Sequence, residues 1–178
     1  MESTVEVKLR RPSNPGADEG WAFVVLPKSE SDKFSRRGRT SVQATIDGHP
    51  FQGVLEPDGQ LSHWLSIPAL LMKDAGVSPG GQVQLAVQPC PDELEPELPP
   101  DFKSLLDASP EARETWEATT TISRIDWVHW MESAKQPKTR ATRTTDACEM
   151  LASGKKRVCC FDPSGYYSKS LSAPQEAP

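Results

Sequence analysis

Residues 121–143 read TISRIDWVHWMESAKQPKTRATR and hold two of the five tryptophans of the chain. On a helix that turns 100° per residue, one face carries Trp127, Trp130, Met131 and Ala134. The roughly opposite face carries Ile122, Ile125 and His129. Because a helix that is apolar on two faces is normally buried between two partners, we expect a core helix. Pro137 favours a first helical turn, which predicts that this helix ends near Lys135 and that a second one runs to about Ala152, with Gly154 as its stop.

The first 88 residues carry the pattern of short strands joined by tight turns. Strands are predicted over 4–10, 20–27, 41–48, 50–57, 60–68 and 78–88, with short helical segments over 28–35 and 68–76. Asp47–Gly48 predicts a hairpin turn, and Asp58–Gly59 predicts a second turn. The connections are too short for the crossover helices of a parallel sheet. We therefore expect a closed six-stranded β-barrel with short helical caps.

Residues 89–100, PCPDELEPELPP, contain five prolines and four acidic residues, which is the composition of an extended connector. Three to four helices follow, one over Phe102–Ala108 and another with Ser109 as N-cap and Pro110 at its first position. The predicted fold class is α+β. The expected divisions are a barrel over 1–88, a connector over 89–100, a helical bundle over 101–154 and an extended C-terminal segment over 155–178 that ends in disorder.

Charge is distributed unevenly around a net value of −5. Residues 88–134 carry three basic and eleven acidic side chains, whereas residues 135–178 carry eight basic and four acidic ones. Either the basic end packs against the acidic middle, within a monomer or across a homodimer, or it is a separate surface for an anionic partner. No apolar run approaches the ~20 residues that span a bilayer, and the N-terminus lacks the apolar core of a signal peptide. The expected location is the cytoplasm, without membrane insertion.

The four cysteines, Cys90, Cys148, Cys159 and Cys160, form no CxxC pair and are expected to be thiols. A disulfide between adjacent Cys159 and Cys160 would require a strained ring. No phosphate-binding glycine loop, GxSxG or HExxH motif occurs, and no metal or cofactor is predicted. The sequence indicates no enzyme, although either of these two adjacent thiols would be the first nucleophile to test.

Candidate ligand-binding residues occur in both halves of the chain. His63 and Trp64 could lie at a barrel mouth, or form a strand with one ring buried and the histidine hydrogen bonded at the surface. An aromatic pocket could be lined by Trp127, His129 and Trp130, unless these residues are core.

Two basic clusters add further candidates. Lys135, Arg140 and Arg143 could clamp a carboxylate or phosphate, or bridge to the acidic segment 92–117. In the barrel, Arg36, Arg37 and Arg39 could contact nucleic-acid phosphates or form a solvated loop.

Three stretches carry a family resemblance: EPDGQLSHWL (56–65), IDWVHWMESAKQPKTRATR (125–143) and MLASGKKRVCCFDPSGYYSKSLSAP (150–174). They resemble the YdeI/OmpD-associated family, whose members are often labelled bacteriocin-protection proteins. The first 88 or so residues resemble the small barrel domain of unknown function that precedes this helical region in the family. The positions that match are Glu56, Asp58, Gly59, His63, Trp64, Trp127, His129, Trp130, Ala134, Lys135, Thr139, Arg140 and Arg143.

The resemblance implies a double-split barrel related to the AbrB/MazE transcription factors, a bacterial source and an association with antimicrobial-peptide tolerance. It brings no established catalytic residue. The leading hypothesis is a non-enzymatic binding or stress-protection protein, with a site for an unknown small molecule or protein partner where barrel and bundle meet. The alternative is a DNA-binding regulator that uses the basic barrel loop, although fold alone does not determine function.

Overall fold

Six antiparallel strands form the N-terminal part of the protein in the computed structural model, which describes residues 4–18, 20–159 and 161–178. The strands are β1 Val5–Lys8, β2 Ala22–Val25, β3 Thr40–Ile46, β4 His49–Pro57, β5 His63–Ile67 and β6 Gln82–Pro89. Their order is β1-β6-β3-β4-β5-β2. A bridge between Arg10 and Phe23 links the two outer strands, so the sheet is a nearly closed barrel. The predicted six-stranded barrel followed by helices is confirmed.

Local turn chemistry sets the register of the hairpin formed by β3 and β4. Asp47 and Gly48 both have positive φ angles, 46° and 83°, which is the requirement of a two-residue hairpin turn of type I′. They join β3 to β4, which pair from Thr40 opposite Leu55 to Ile46 opposite His49. The inward-facing residues of the strands form one apolar core.

Two short helices cap the barrel, α1 Lys28–Ser31 and α2 Ala69–Ala75. The second follows Pro68 and ends at Gly76, whose φ of 69° is the left-handed geometry of a helix stop. Both helices therefore occur where the sequence predicts helical segments.

Four helices form a second unit, residues 93–163, while residues 1–92 and 164–178 form the barrel unit. The helices are α3 Pro100–Asp107, α4 Pro110–Ala118, α5 Thr121–Glu132 and α6 Pro137–Ala152. The side chain of Ser109 accepts a hydrogen bond from the Ala112 amide at the start of α4, as an N-cap does. The α5 helix ends three residues earlier than expected, and its buried residues lie on both faces.

The connector and the C-terminal segment are more firmly held than their composition indicates. Prolines exclude helix and strand from residues 93–99, yet Leu98 packs against the helical core and Glu95 is ion-paired to Arg124. The sequence indicates disorder at the C-terminal end, yet the backbone of residues 175–177 forms hydrogen bonds with residues 11–13. Both differences arise because single side chains and backbone groups form contacts with distant residues.

Among the described helices, none is long and apolar enough to cross a membrane.

Candidate functional site

His63 and Trp64 point to opposite sides of β5 and do not form one site. The His63 ring is fully buried, with Nδ1 2.6 Å from the Ser31 hydroxyl and Nε2 3.2 Å from the Gly38 carbonyl oxygen. The ring also meets Phe34 edge-on. Burial lowers the pKa of His63, so the neutral ring is favoured. The histidine is thus a hydrogen-bonded part of the barrel interior and not, as one interpretation had it, a surface residue.

Trp64 belongs instead to a partly exposed aromatic cluster on the outer side of the barrel. Its ring lies 6.4 Å from Trp21 and 6.2 Å from Phe23, the latter in an edge-on arrangement. The Trp21 indole N–H donates to the Pro15 carbonyl oxygen. Such aromatic pairs stabilise the strands they join, and the exposed part of the cluster could contact a ligand.

Trp127, Trp130 and Arg143 are brought together where α5 meets α6. The Trp127 ring is fully buried, donates to the Lys156 carbonyl oxygen at 3.2 Å, and packs edge-on against Trp130. Trp130 is partly exposed. The Arg143 guanidinium lies 5.4 Å from the centre of its ring, within the range of a cation–π contact. Arg143 Nη1 also donates to the Trp130 carbonyl oxygen and the Ser133 hydroxyl.

His129 lies apart from this cluster. It is 2% exposed, and its ring meets Phe161 edge-on at 5.0 Å. Phe161 comes from the chain that follows α6, so this segment covers the side of α5 opposite the two tryptophans. The three-residue aromatic pocket suggested by the sequence is therefore divided between two faces of one helix.

Lys135 and Arg140 have different environments. Lys135 is exposed beyond the end of α5, whereas the Arg140 guanidinium pairs with Asp101 at 3.2 Å. The Arg140 contact agrees with the interpretation in which the basic end bridges to the acidic segment. The three basic residues do not form a single clamp. Lys135 is exposed to solvent, Arg140 pairs with Asp101, and Arg143 contacts Trp130 and Ser133.

The basic loop of the barrel is occupied by internal contacts. Arg37 pairs with Asp32 at 2.7 Å and donates to the Leu61 carbonyl oxygen, and Arg39 pairs with Glu56 at 2.6 Å. These contacts neutralise charge that a nucleic-acid surface would present to phosphates. Nucleic-acid binding through Arg36, Arg37 and Arg39 stays a prediction.

Sequence reasoning missed a network around Arg124. Its guanidinium forms a fork with Glu95 at 2.6 and 2.9 Å and donates to the carbonyl oxygens of Trp116 and Thr119 at 3.0 and 2.7 Å. The ion pair lowers the pKa of Glu95 and raises that of Arg124. An arginine in the first turn of a buried helix was the one available signal, because arginine is rarely buried without a partner.

Two shallow recesses occur in the described part of the chain, one beside the Arg124 network and one at the barrel. One of about 280 Å³ is lined by Leu98, Arg113, Trp116, Glu117 and Arg124. The other, of about 320 Å³, lies against β3, β4 and β6 and is lined by Gln43, Ala44, Thr45, Pro50, Phe51, Gln52 and Gln88. The residues singled out from the sequence line neither of them.

The described cysteines and acidic residues do not form a metal-binding cluster. Within residues 4–18, 20–159 and 161–178, no three His, Cys, Asp or Glu side chains are grouped as metal ligands. Burial raises the pKa of the Cys148 thiol, which makes it a weaker nucleophile at neutral pH. Cys159 is exposed, and Cys160 lies outside the described residues.

Two sequence families match the chain. Residues 6–87, the strands of the barrel, match a domain of unknown function, DUF1905. Residues 95–154, which include the helices α3 to α6, match the family described as bacteriocin-protection, YdeI or OmpD-associated. No curated protein matches the chain. The chain thus combines a DUF1905 barrel with a helical region that matches the bacteriocin-protection, YdeI- or OmpD-associated family.

Proposed function

We propose that this protein contributes to bacteriocin tolerance by binding a partner, and that the binding surface is the Trp130 patch. The patch consists of Trp130 and Arg143 with the exposed Lys135 near them in the chain. One observation carries the proposal: the Arg143 guanidinium is held over a partly exposed tryptophan ring inside the region that matches the bacteriocin-protection family.

The geometry of the patch favours a ligand that combines an anionic group with an apolar one. A guanidinium has five N–H donors, and the contacts of Arg143 to Trp130 and Ser133 use only Nη1. The remaining donors suit a carboxylate or phosphate, and the adjoining indole suits an apolar or aromatic side chain. Since the backbone oxygen of Trp130 fixes the arginine in place, little side-chain entropy remains to be lost on binding.

Survival of bacteria under bacteriocin exposure tests the proposal. A host that lacks its own copy of the gene would produce the wild type, Trp130→Ala, Arg143→Lys or the control Lys138→Ala, which alters an exposed residue five positions before Arg143 on α6. We expect the first two variants to lose most of the protection given by the wild type, and the control to keep it. Arg143→Lys preserves the charge but loses the planar fork.

Thermal unfolding followed by circular dichroism separates binding from folding. A variant that loses protection while it remains folded at the assay temperature supports the patch. Protection that is unchanged in both Trp130→Ala and Arg143→Lys would exclude it. Native mass spectrometry of the protein purified without added ligand would then identify any small molecule that it retains.

A DNA-binding regulator remains the alternative, based on Arg36, Arg37 and Arg39. It requires an affinity that falls steeply with salt concentration and that is lost when the three arginines become alanine. A flat salt response would end it. The pairing of Arg37 with Asp32 and of Arg39 with Glu56 makes the Trp130 patch the stronger candidate.

A further inference from the structure

The C-terminal residues 175–177 occupy a short strand edge beside the seam of the barrel. The Ser13 amide donates to the Gln175 carbonyl oxygen, and the Ala177 amide donates to the Arg11 carbonyl oxygen, both at 2.8 Å. Pro12 and Glu176 lie opposite each other in an antiparallel bridge. The same stretch of chain continues from Arg10, whose backbone pairs with Phe23 to join β1 and β2. We call Lys8, Arg10 and residues 11–13 the seam edge.

Pro12 is compatible with strand pairing here because it occupies a non-hydrogen-bonded position of the ladder. In the bridge, the hydrogen bonds are formed by the residues on either side of Pro12 and Glu176, so neither of these two needs a backbone donor. A proline is tolerated in a strand where its missing N–H would not be used. The seam edge therefore presents one donor, one acceptor and a buried proline ring to an extended chain.

Charge selects what kind of chain the edge accepts. The Glu176 carboxylate lies 2.8 Å from Lys8 Nζ and 3.2 Å from Arg10 Nη1, one oxygen on each cation. The two cations lower the pKa of Glu176. Backbone pairing next to a pocket for one alternate side chain is the usual arrangement of peptide recognition by strand addition.

The chain's own segment fits this edge imperfectly. Among the described residues, Arg10 Nε is buried without a hydrogen-bond partner, so Glu176 engages only one side of the guanidinium. A buried N–H that lacks a partner is costly, and a side-on fork of one carboxylate to Nε and Nη2, as between Glu95 and Arg124, is the stronger geometry. A peptide whose carboxylate reaches both Nε and Nη2 of Arg10 would pair better than the internal segment, which contacts only Nη1.

We propose that the seam edge is a binding site for an extended acidic peptide of a partner protein, and that residues 175–177 occupy it as an internal competitor. The site is separate from the Trp130 patch and does not depend on it. Because the internal segment leaves the edge open in only a fraction of the molecules, the apparent affinity for the external peptide is the intrinsic affinity multiplied by that fraction.

Fluorescence anisotropy with a labelled peptide of residues 171–178, LSAPQEAP, tests the proposal on the full chain. Glu176→Ala removes the ion pair, and Ala177→Pro removes the hydrogen bond to Arg11, so each variant weakens the competitor by a different route. We expect both to bind the peptide about tenfold more tightly than the wild type. Asp74→Ala, which removes an exposed acid elsewhere in the barrel unit, should behave as the wild type does.

Two further measurements complete the test. A peptide with glutamine in place of its glutamate should bind several-fold more weakly, and Lys8→Ala combined with Arg10→Ala in the Glu176→Ala background should abolish binding. The proposal is overturned if neither Glu176→Ala nor Ala177→Pro binds the peptide more tightly than the wild type. It is overturned equally if binding survives the loss of both Lys8 and Arg10.

Discussion

The His63 ring shows how a single buried group can make the barrel sensitive to pH. A carbonyl oxygen only accepts, so the contact with Gly38 places the ring proton on Nε2, and Nδ1 then accepts from the Ser31 hydroxyl. Burial is the main cause that lowers the pKa of His63, and the charges of Arg37 and Arg36 add to it. The Gly38 hydrogen bond and the charge of Asp58 oppose it.

The lowered pKa predicts that the free energy of unfolding falls as the pH drops below about 6.5, the value for an unperturbed histidine. In that range the unfolded chain takes up a proton that the folded chain resists, and the loss continues until the pH reaches the folded pKa. His63→Gln should be about 2 kcal/mol less stable at pH 7 but should show a shallower dependence between pH 7 and 5. Urea unfolding across that range checks this, and parallel pH profiles for the two proteins would contradict it.

The contacts of Arg124 predict that losing its two-pronged hydrogen bonding lowers the free energy of unfolding more than losing the charge of Glu95 does. Arg124→Lys cannot span Glu95 and the carbonyl oxygens of Trp116 and Thr119 together, so we expect a loss of about 2 kcal/mol. Glu95→Gln keeps hydrogen-bonding atoms in place on a side chain that is 58% exposed, and should cost less than about 1 kcal/mol. Chemical denaturation of both variants measures the difference. Equal losses would show that the charge of Glu95, and not the fork, is what matters.

At the scale of elements, the C-terminal segment depends on the absence of a side chain at Gly59. A Cβ atom added there would lie 2.0 Å from the Leu171 carbonyl oxygen, and the φ angle of 77° is itself unfavourable for alanine. Gly48 has a similar φ of 83° but meets nothing within 4 Å, so it isolates the conformational cost. We expect Gly48→Ala to cost about 1 kcal/mol and leave the segment in place.

Gly59→Ala should cost more than Gly48→Ala and should release residues 164–178 from the barrel. Limited proteolysis and hydrogen exchange of that segment are the measurements. If residues 164–178 are equally protected from protease and from exchange in both alanine variants, the contact between Gly59 and Leu171 does not hold the segment.

Elements with local signals could be predicted from the sequence, and long-range pairs could not. Asp47–Gly48 specifies its own turn, and Ser109 with Pro110 specifies a helix start, because the groups that interact are two or three residues apart. Ser31 and His63 are 32 residues apart, and Arg124 and Glu95 are 29 apart. Arg10 and Glu176 are separated by 166 residues. A single sequence does not indicate which of many acidic residues an arginine will contact. The sequence therefore predicts candidate site residues but not the residues that they contact.

At the scale of the whole molecule, the chain has two apolar cores. Leu85 belongs to the core of the barrel and Leu106 to that of the helices, and the two clusters share no member among the described residues. Both side chains are fully buried, which makes them a matched pair. Truncating either to alanine leaves a cavity and should cost about 2–5 kcal/mol.

The separate cores predict where each loss will be felt. Leu106→Ala should speed hydrogen exchange in α3, α4 and α6 while the amides of β3 and β6 keep their protection, and Leu85→Ala should do the reverse. Exchange resolved by peptide is the suitable measurement, because it follows the strands and the helices separately, whereas a single unfolding midpoint does not. If either substitution accelerated exchange equally in strands and helices, the two cores would have to unfold as one unit. The bacteriocin protection that we propose for the Trp130 patch would then depend on the stability of the barrel as well as on the helices that carry the patch.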